Sequence, residues 1–147
     1  MRLTDTLKKQ FIAATNLPNQ VFEKIIIESR ENAISFALRA IQQGHLERDI
    51  AGSIIGDAYG YNYMNLDKEV FEMDAVTQLK LDDAISLQVI PVHENQKRIV
   101  LATDNPIGLE IHKLPKNIIH RLKVVFTFPD ELETAITNQY QLIQKRA

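Results

Sequence analysis

ISLQVIPVHENQKRIVLATDNP, residues 85–106, is the stretch that decides how this chain folds. It reads as a strand, a polar turn, a second strand and a stop. On the first arm Leu87, Val89 and Pro91 share one face while Gln88, Ile90 and Val92 share the other, because side chains alternate along a strand. Ile99, Val100, Leu101 and Ala102 are apolar on both faces, which predicts a central strand covered on both sides. A buried helical turn is the competing reading of so short a run. Glu94, Asn95, Gln96 and Lys97 are costly to bury and predict the exposed loop of a hairpin. Thr103, Asp104, Asn105 and Pro106 end the ladder, since Pro106 has no N–H to donate and turns Asn105 away from helix.

Downstream of the hairpin, 107–114 predicts a short helix halted before Pro115. Residues 123–128, KVVFTF, predict a strand by their β-branched and aromatic content. Pro129 and Asp130 then open a last helix in which Leu132, Ala135, Ile136, Tyr140 and Ile143 keep the apolar spacing. Upstream, Asp74 is a candidate N-cap for a helix carrying Ala75, Val76 and Leu79, running on through Leu81 toward Ala84 and Ile85. The order β-β-α-β-α predicts a small α/β sandwich with a three-stranded or slightly larger sheet.

The first half reads helical. Leu3, Leu7 and Phe11, with Ile12 beside them, recur once per turn, with Asp5, Lys8, Lys9 and Gln10 opposite. Pro18 suits the first turn of a second helix, whose Val21, Phe22, Ile25, Ile26 and Ile27 form an apolar surface wide enough to be gripped on two sides. Asn32 is a candidate N-cap for a third helix with its stripe at Ile34, Ala37, Leu38 and Ile41, and Gly44 stands where a left-handed residue closes it. A fourth helix places Ile50, Ala51, Ile54, Ile55 and Ala58 on one side and ends at Gly60. Its Gly52 and Gly56 cost up to about 1 kcal/mol each against alanine, which predicts a close backbone approach that offsets them. Residues 61–66 are short, aromatic and alternating, an edge strand or an extended crossover. The fold class is therefore α+β: a helical subdomain over 1–60, a crossover or hinge over 61–73, and an α/β subdomain over 74–147.

Composition excludes several classes of function. The chain has 147 residues, 45% hydrophobic and 24% charged, with a net charge of −2, an ordinary globular balance that does not draw it to nucleic acid. Cys is absent, which removes disulfides, thiol catalysis and cysteine-ligated zinc. No apolar run has spanning length and no signal-peptide pattern follows Met1, so a cytoplasmic protein without direct membrane insertion is expected.

The residues that usually carry chemistry form no constellation. His45, His93, His112 and His120 lack metal-ligand spacing, and no metal is expected. No serine sits in a G-x-S-x-G elbow, and an enzyme resting on His93, Asp104 and His120 has no motif behind it. The carboxylate pairs Asp82/Asp83 and Glu131/Glu133 lie near helix starts, where negative charge favours the macrodipole. No catalytic or cofactor-binding residue is assigned. The one charge cluster is a basic band of His112, Lys113, Lys116, His120, Arg121 and Lys123, which reads either as a solvated face or as a docking surface for an acidic protein or a phosphate-bearing ligand.

In their order and spacing, Gly44-His45-Leu46, Tyr59-Gly60, Val89-Ile90-Pro91-Val92 and Leu101-Ala102-Thr103-Asp104-Asn105-Pro106 resemble the N-terminal domain of the assembly ATPases of type IV pili and type II secretion systems. The resemblance runs from about Leu17 to the end of the chain. It implies a non-catalytic docking and regulatory domain set ahead of a motor ATPase domain in the parent chain. The implied partner is the cytoplasmic domain of an inner-membrane platform protein, which would keep the domain at the cytoplasmic side of that membrane. No G-x-x-x-x-G-K-[ST] occurs, so the sequence read alone is expected neither to bind nor to hydrolyse ATP; it is either part of a longer protein or a stand-alone relative. The wording VIPV and LATDNP leans toward a pilus parent, and the secretion alternative stays open.

Some members of that family bind cyclic di-GMP through two tandem R-L-G-x-x-L … Q motifs in the helical part. Here Ser35-Phe36-Ala37 stands where the second R-L-G falls and Ala58 where its glutamine falls. Arg2-Leu3-Thr4, the nearest match to the first, comes several residues early. Carried over residue by residue, the resemblance predicts against cyclic di-GMP as a partner.

Overall fold

Thr4 begins the first helix by accepting the Leu7 N–H on its hydroxyl at 3.3 Å, which satisfies one of the donors that a helix start leaves free. In the computed structural model, which describes residues 1–146, helices α1 (Asp5–Ala14), α2 (Asn19–Glu28), α3 (Ala33–Gln42) and α4 (Arg48–Tyr59) make up a first compact unit, Met1–Tyr63. Pro18 leads into α2, and Asn32 caps α3 by accepting the Ser35 N–H at 3.0 Å. Gly44 and Gly60 take positive φ after α3 and α4, the left-handed closure expected of them.

The core of this unit is aromatic. Phe36 is fully buried with its ring centroid 5.0 Å from those of both Phe11 and Phe22. Leu7, Ile25, Ile26, Ala37, Ala40, Ala51 and Ile55 are buried in the same unit. Two expectations shift here. The buried face of α3 is Ala33, Phe36, Ala37 and Ala40, and Ile34, Leu38 and Ile41 stay partly exposed. On α2 the apolar surface is gripped on one side only, for Ile27 is 73% exposed.

The second unit begins at Met64. Asn65 caps a 3-10 turn, Leu66–Lys68. Where one helix was expected ahead of the hairpin there are two short ones, α5 (Met73–Val76) and α6 (Leu81–Leu87). The first arm of the hairpin is shorter than its alternation predicts: Ile85, Ser86 and Leu87 finish α6, and Gln88, at φ 54°, turns the chain into β1 (Val89–Glu94). β1 pairs antiparallel with β2 (Ile99–Thr103), with an irregularity between Pro91 and His93. The side-chain oxygen of Asn95 accepts the N–H groups of Lys97 and Arg98, both at 2.8 Å, and this fixes the turn.

β2 is the central strand, as its two-sided apolarity requires, and β3 (Leu122–Phe126) lies parallel to it on the far side. The parallel connection is long, as it must be. It carries a 3-10 turn, Ile111–Lys113, and α7 (Lys116–Ile119) in place of a helix over 107–114. α8 (Pro129–Arg146) packs on β1, β2, α5 and α6. Its Leu132, Ala135, Ile136 and Tyr140 join Val89, Ile90, Ile99, Leu101 and Ile118 in one core. The order α-helical part, then hairpin, parallel strand and closing helix gives the α+β class with a three-stranded sheet. Among the described residues no helix is long and apolar enough to cross a membrane.

Candidate functional site

Of the six residues of the basic band, Arg121 is spent on structure. Its side chain is about one-fifth exposed and pairs with Glu94 at 3.2 Å; Nη1 donates to the Asn95 carbonyl at 2.8 Å and Nε to the Asn117 carbonyl at 3.2 Å. The guanidinium fork thus ties the hairpin turn to the end of α7, a task that a single ammonium could not perform. Lys113 pairs with Glu110 at 2.9 Å, and His112 lies 4.0 Å from the same carboxylate. The hydrogen bond from Lys113, reinforced by the attraction of its charge, holds the Glu110 carboxyl below its ordinary range. Lys116 opens α7, His120 follows it and Lys123 lies on β3; all three are exposed, and among the described residues none has an ion-pair partner. The band is therefore narrower in free charge than in sequence.

Two groups escaped the sequence reading. His93 sits between two carboxylates, Nε2 at 2.9 Å from Glu69 and Nδ1 at 3.1 Å from Glu72. Both partners come from the irregular segment before α5, and only the fold reveals that this segment returns to β1, where the Glu72 N–H donates to the Val92 carbonyl at 3.0 Å. Glu131 lies in the first turn of α8, where its charge was expected to favour the macrodipole, but it is also 2% exposed and accepts the Leu66 N–H at 2.9 Å, a tie the sequence did not show. A buried carboxylate joins α8 to the incoming chain. No group of His, Asp and Glu among the described residues is arranged to hold a metal ion.

The remaining feature is concave. A groove of about 550 Å³ runs between α6 and α8, with Leu81, Ile85, Leu132, Ile136 and Tyr140 among its walls. Asp104 also lines it, and the Oδ1 atom of that residue is buried without a hydrogen-bond partner. Burial pushes the Asp104 carboxyl above its ordinary range, against the opposing influence of its own backbone N–H.

A helical unit followed by a hairpin, a parallel third strand and a closing helix defines a domain of α+β class. The model of the MshEN domain matches residues 59–145, the greater part of the chain. The chain belongs to this family, that of the N-terminal domains of type IV pilus and type II secretion ATPases, domains that are themselves non-catalytic. Among solved structures, one of MshE with cdg, cyclic di-GMP, matches with a TM-score of 0.62 at 14% identity over 90% of this chain and 97% of that one. The N-terminal domain of XpsE matches with a TM-score of 0.49 at 14% identity over 88% and 93%. No curated protein matches the sequence.

The MshE structure corrects one expectation. The replacement of the motif residues by Ser35-Phe36-Ala37 and Ala58 predicts against cyclic di-GMP, yet a protein of the same fold over 90% of this chain is solved with that ligand. Side chains at a few motif positions test one set of contacts with the nucleotide. They do not test what the fold accommodates.

Proposed function

We propose that this chain is the non-catalytic docking and regulatory domain of a type IV pilus or type II secretion motor ATPase, and that it binds the cytoplasmic domain of an inner-membrane platform protein. The family match over 59–145 carries the reading. Lys116 and Lys123 support it as exposed cations on one stretch of the α/β unit, with the exposed His120 between them, beside His112, Lys113 and the structurally committed Arg121. Such charges steer and orient an acidic partner more than they add affinity. ATP hydrolysis falls to a motor domain of the parent protein, since the phosphate-binding loop is not in this sequence. The working place is the cytoplasmic side of the membrane, reached through the partner. Titration calorimetry with the platform protein's cytoplasmic domain tests this. Saturable binding is expected, weakened by salt and by Lys116→Glu with Lys123→Glu; no heat with the unmodified chain refutes docking.

A second reading, a response to cyclic di-GMP, is favoured by the MshE structure. In this chain Phe36 and Ala37 are buried in the helical core, so recognition of phosphate and guanine falls to other side chains. Calorimetry with the dinucleotide decides it: a saturable heat supports the reading, and none at high micromolar ligand removes it.

A further inference from the structure

The walls of the α6–α8 groove are two helical rows. Leu81 and Ile85 stand four residues apart on α6; Leu132, Ile136 and Tyr140 stand four apart on α8. Rows of this spacing form grooves that another helix can fill, and because Leu132, Ile136 and Tyr140 are largely buried in the core, the open apolar surface here is Ile85. Ile85 is 58% exposed, a large apolar side chain left in water on the groove. The lining holds the carboxylates Asp104 and Glu133 and no Lys, Arg or His. Asp104 Oδ1 is the one buried side-chain atom found without a partner among the described residues, and such an atom costs free energy until a donor reaches it.

We propose that the groove seats an amphipathic helix of a partner protein, whose apolar face packs on Ile85, Ile136 and Tyr140 and whose lysine or arginine pairs with Asp104. The proposal rests on the docking reading and adds to it a second surface, apolar and acidic, distinct from the basic band. A cation fits because the charged groups of the lining are of one sign, and an apolar face fits because Leu81, Ile85, Leu132, Ile136 and Tyr140 form an apolar strip along the wall. Rotation about the Cβ–Cγ bond lets an incoming donor partner either carboxylate oxygen. The occupant relieves the unpaired, desolvated carboxylate and covers Ile85 in the same step.

Two synthetic helical peptides of equal length, identical in their leucine face and differing by lysine or glutamate at one flanking position, test this by NMR titration of the whole chain. The lysine peptide is expected to shift the signals of Ile85, Ile136 and Tyr140. It should bind about tenfold or more tightly than the glutamate peptide, the scale of a charge-assisted contact. Asp104→Asn should erase the difference while leaving the weaker apolar binding in place. Equal affinity of the two peptides, shifts elsewhere on the chain, or no binding overturns the proposal. So does concentration-dependent self-association of the chain through Ile85, which would make a second copy the occupant. Failure here leaves platform binding through the basic band standing, because calorimetry with the platform domain reads that separately.

Discussion

In the helical unit Phe36 gathers Phe11 and Phe22 around it at 5.0 Å, whereas in the α/β unit the centre is a strand, β2, whose Ile99, Leu101 and Ala102 are buried against residues far away in sequence. The first core is assembled from helices that are each locally legible. The second exists only once the hairpin closes and α8 returns. The family match, over 59–145, falls on the second apart from its first five residues. In that unit register is narrowly constrained, because a one-residue slip would carry every buried side chain of a strand to the other face.

The sharpest way to break the comparison is Phe36→Ala. It removes the aromatic pivot and is expected to cost about 3–5 kcal/mol, read as loss of the helical unit's hydrogen-exchange protection with β2 amides still slow to exchange. Next is Gly56→Ala. Its helix propensity improves by about 1 kcal/mol, but the new Cβ would stand 2.7 Å from the Tyr61 carbonyl oxygen. Overpacking against backbone costs about 1–3 kcal/mol, so net destabilisation is expected in urea melts. A gain in stability would mean that the 61–63 segment does not lie on α4.

Tyr140→Phe is smaller. The hydroxyl donates to the Leu79 carbonyl at 2.8 Å, and burial, with the nearby Asp83 charge adding to it, holds the phenol well above its ordinary range. Loss of about 1 kcal/mol is expected, confined to the α/β unit. Asp104→Asn has the smallest effect and the opposite sign. A carboxyl whose folded value is raised binds its proton more tightly in the folded chain, so stability falls as pH rises from below the unfolded value through the folded one. Replacing it should raise the melting temperature slightly at neutral pH, and the gain should vanish near about pH 3, where the carboxyl is protonated in both states.

The elements that the sequence announced are those with a single strong local signal: the Asn32 cap, Gly44 and Gly60, the polar turn at Asn95, the two-sided apolarity of β2, and the spacing of α8. The misreadings share a cause. Period alone placed Ile34, Leu38 and Ile41 on the core face, but the face that packs is Ala33, Phe36, Ala37 and Ala40, where one phenylalanine among alanines fills the core between Phe11 and Phe22. Ile85 and Leu87 alternate as a strand would, yet Gln88 in the left-handed region ends a helix there. Gly52 and Gly56 were expected to meet another backbone; a Cβ at Gly56 would strike the Tyr61 carbonyl of the chain's own 61–63 segment, whereas at Gly52 it is the ring of Tyr63 that stands in the way. Of the surfaces, the basic band was visible as composition, but the pairing of Arg121 with the hairpin turn was not, because Glu94 and Asn95 lie 27 and 26 residues away. The α6–α8 groove left no sequence signal beyond an exposed isoleucine.

The central claim is that the α/β unit is the docking half of the molecule. Hydrogen exchange of the chain with and without the cytoplasmic domain of the platform protein tests it most directly. The account predicts new protection in the second unit, at α6 and α8 or along 112–123. Protection confined to Met1–Tyr63, or none at saturating partner, would contradict it.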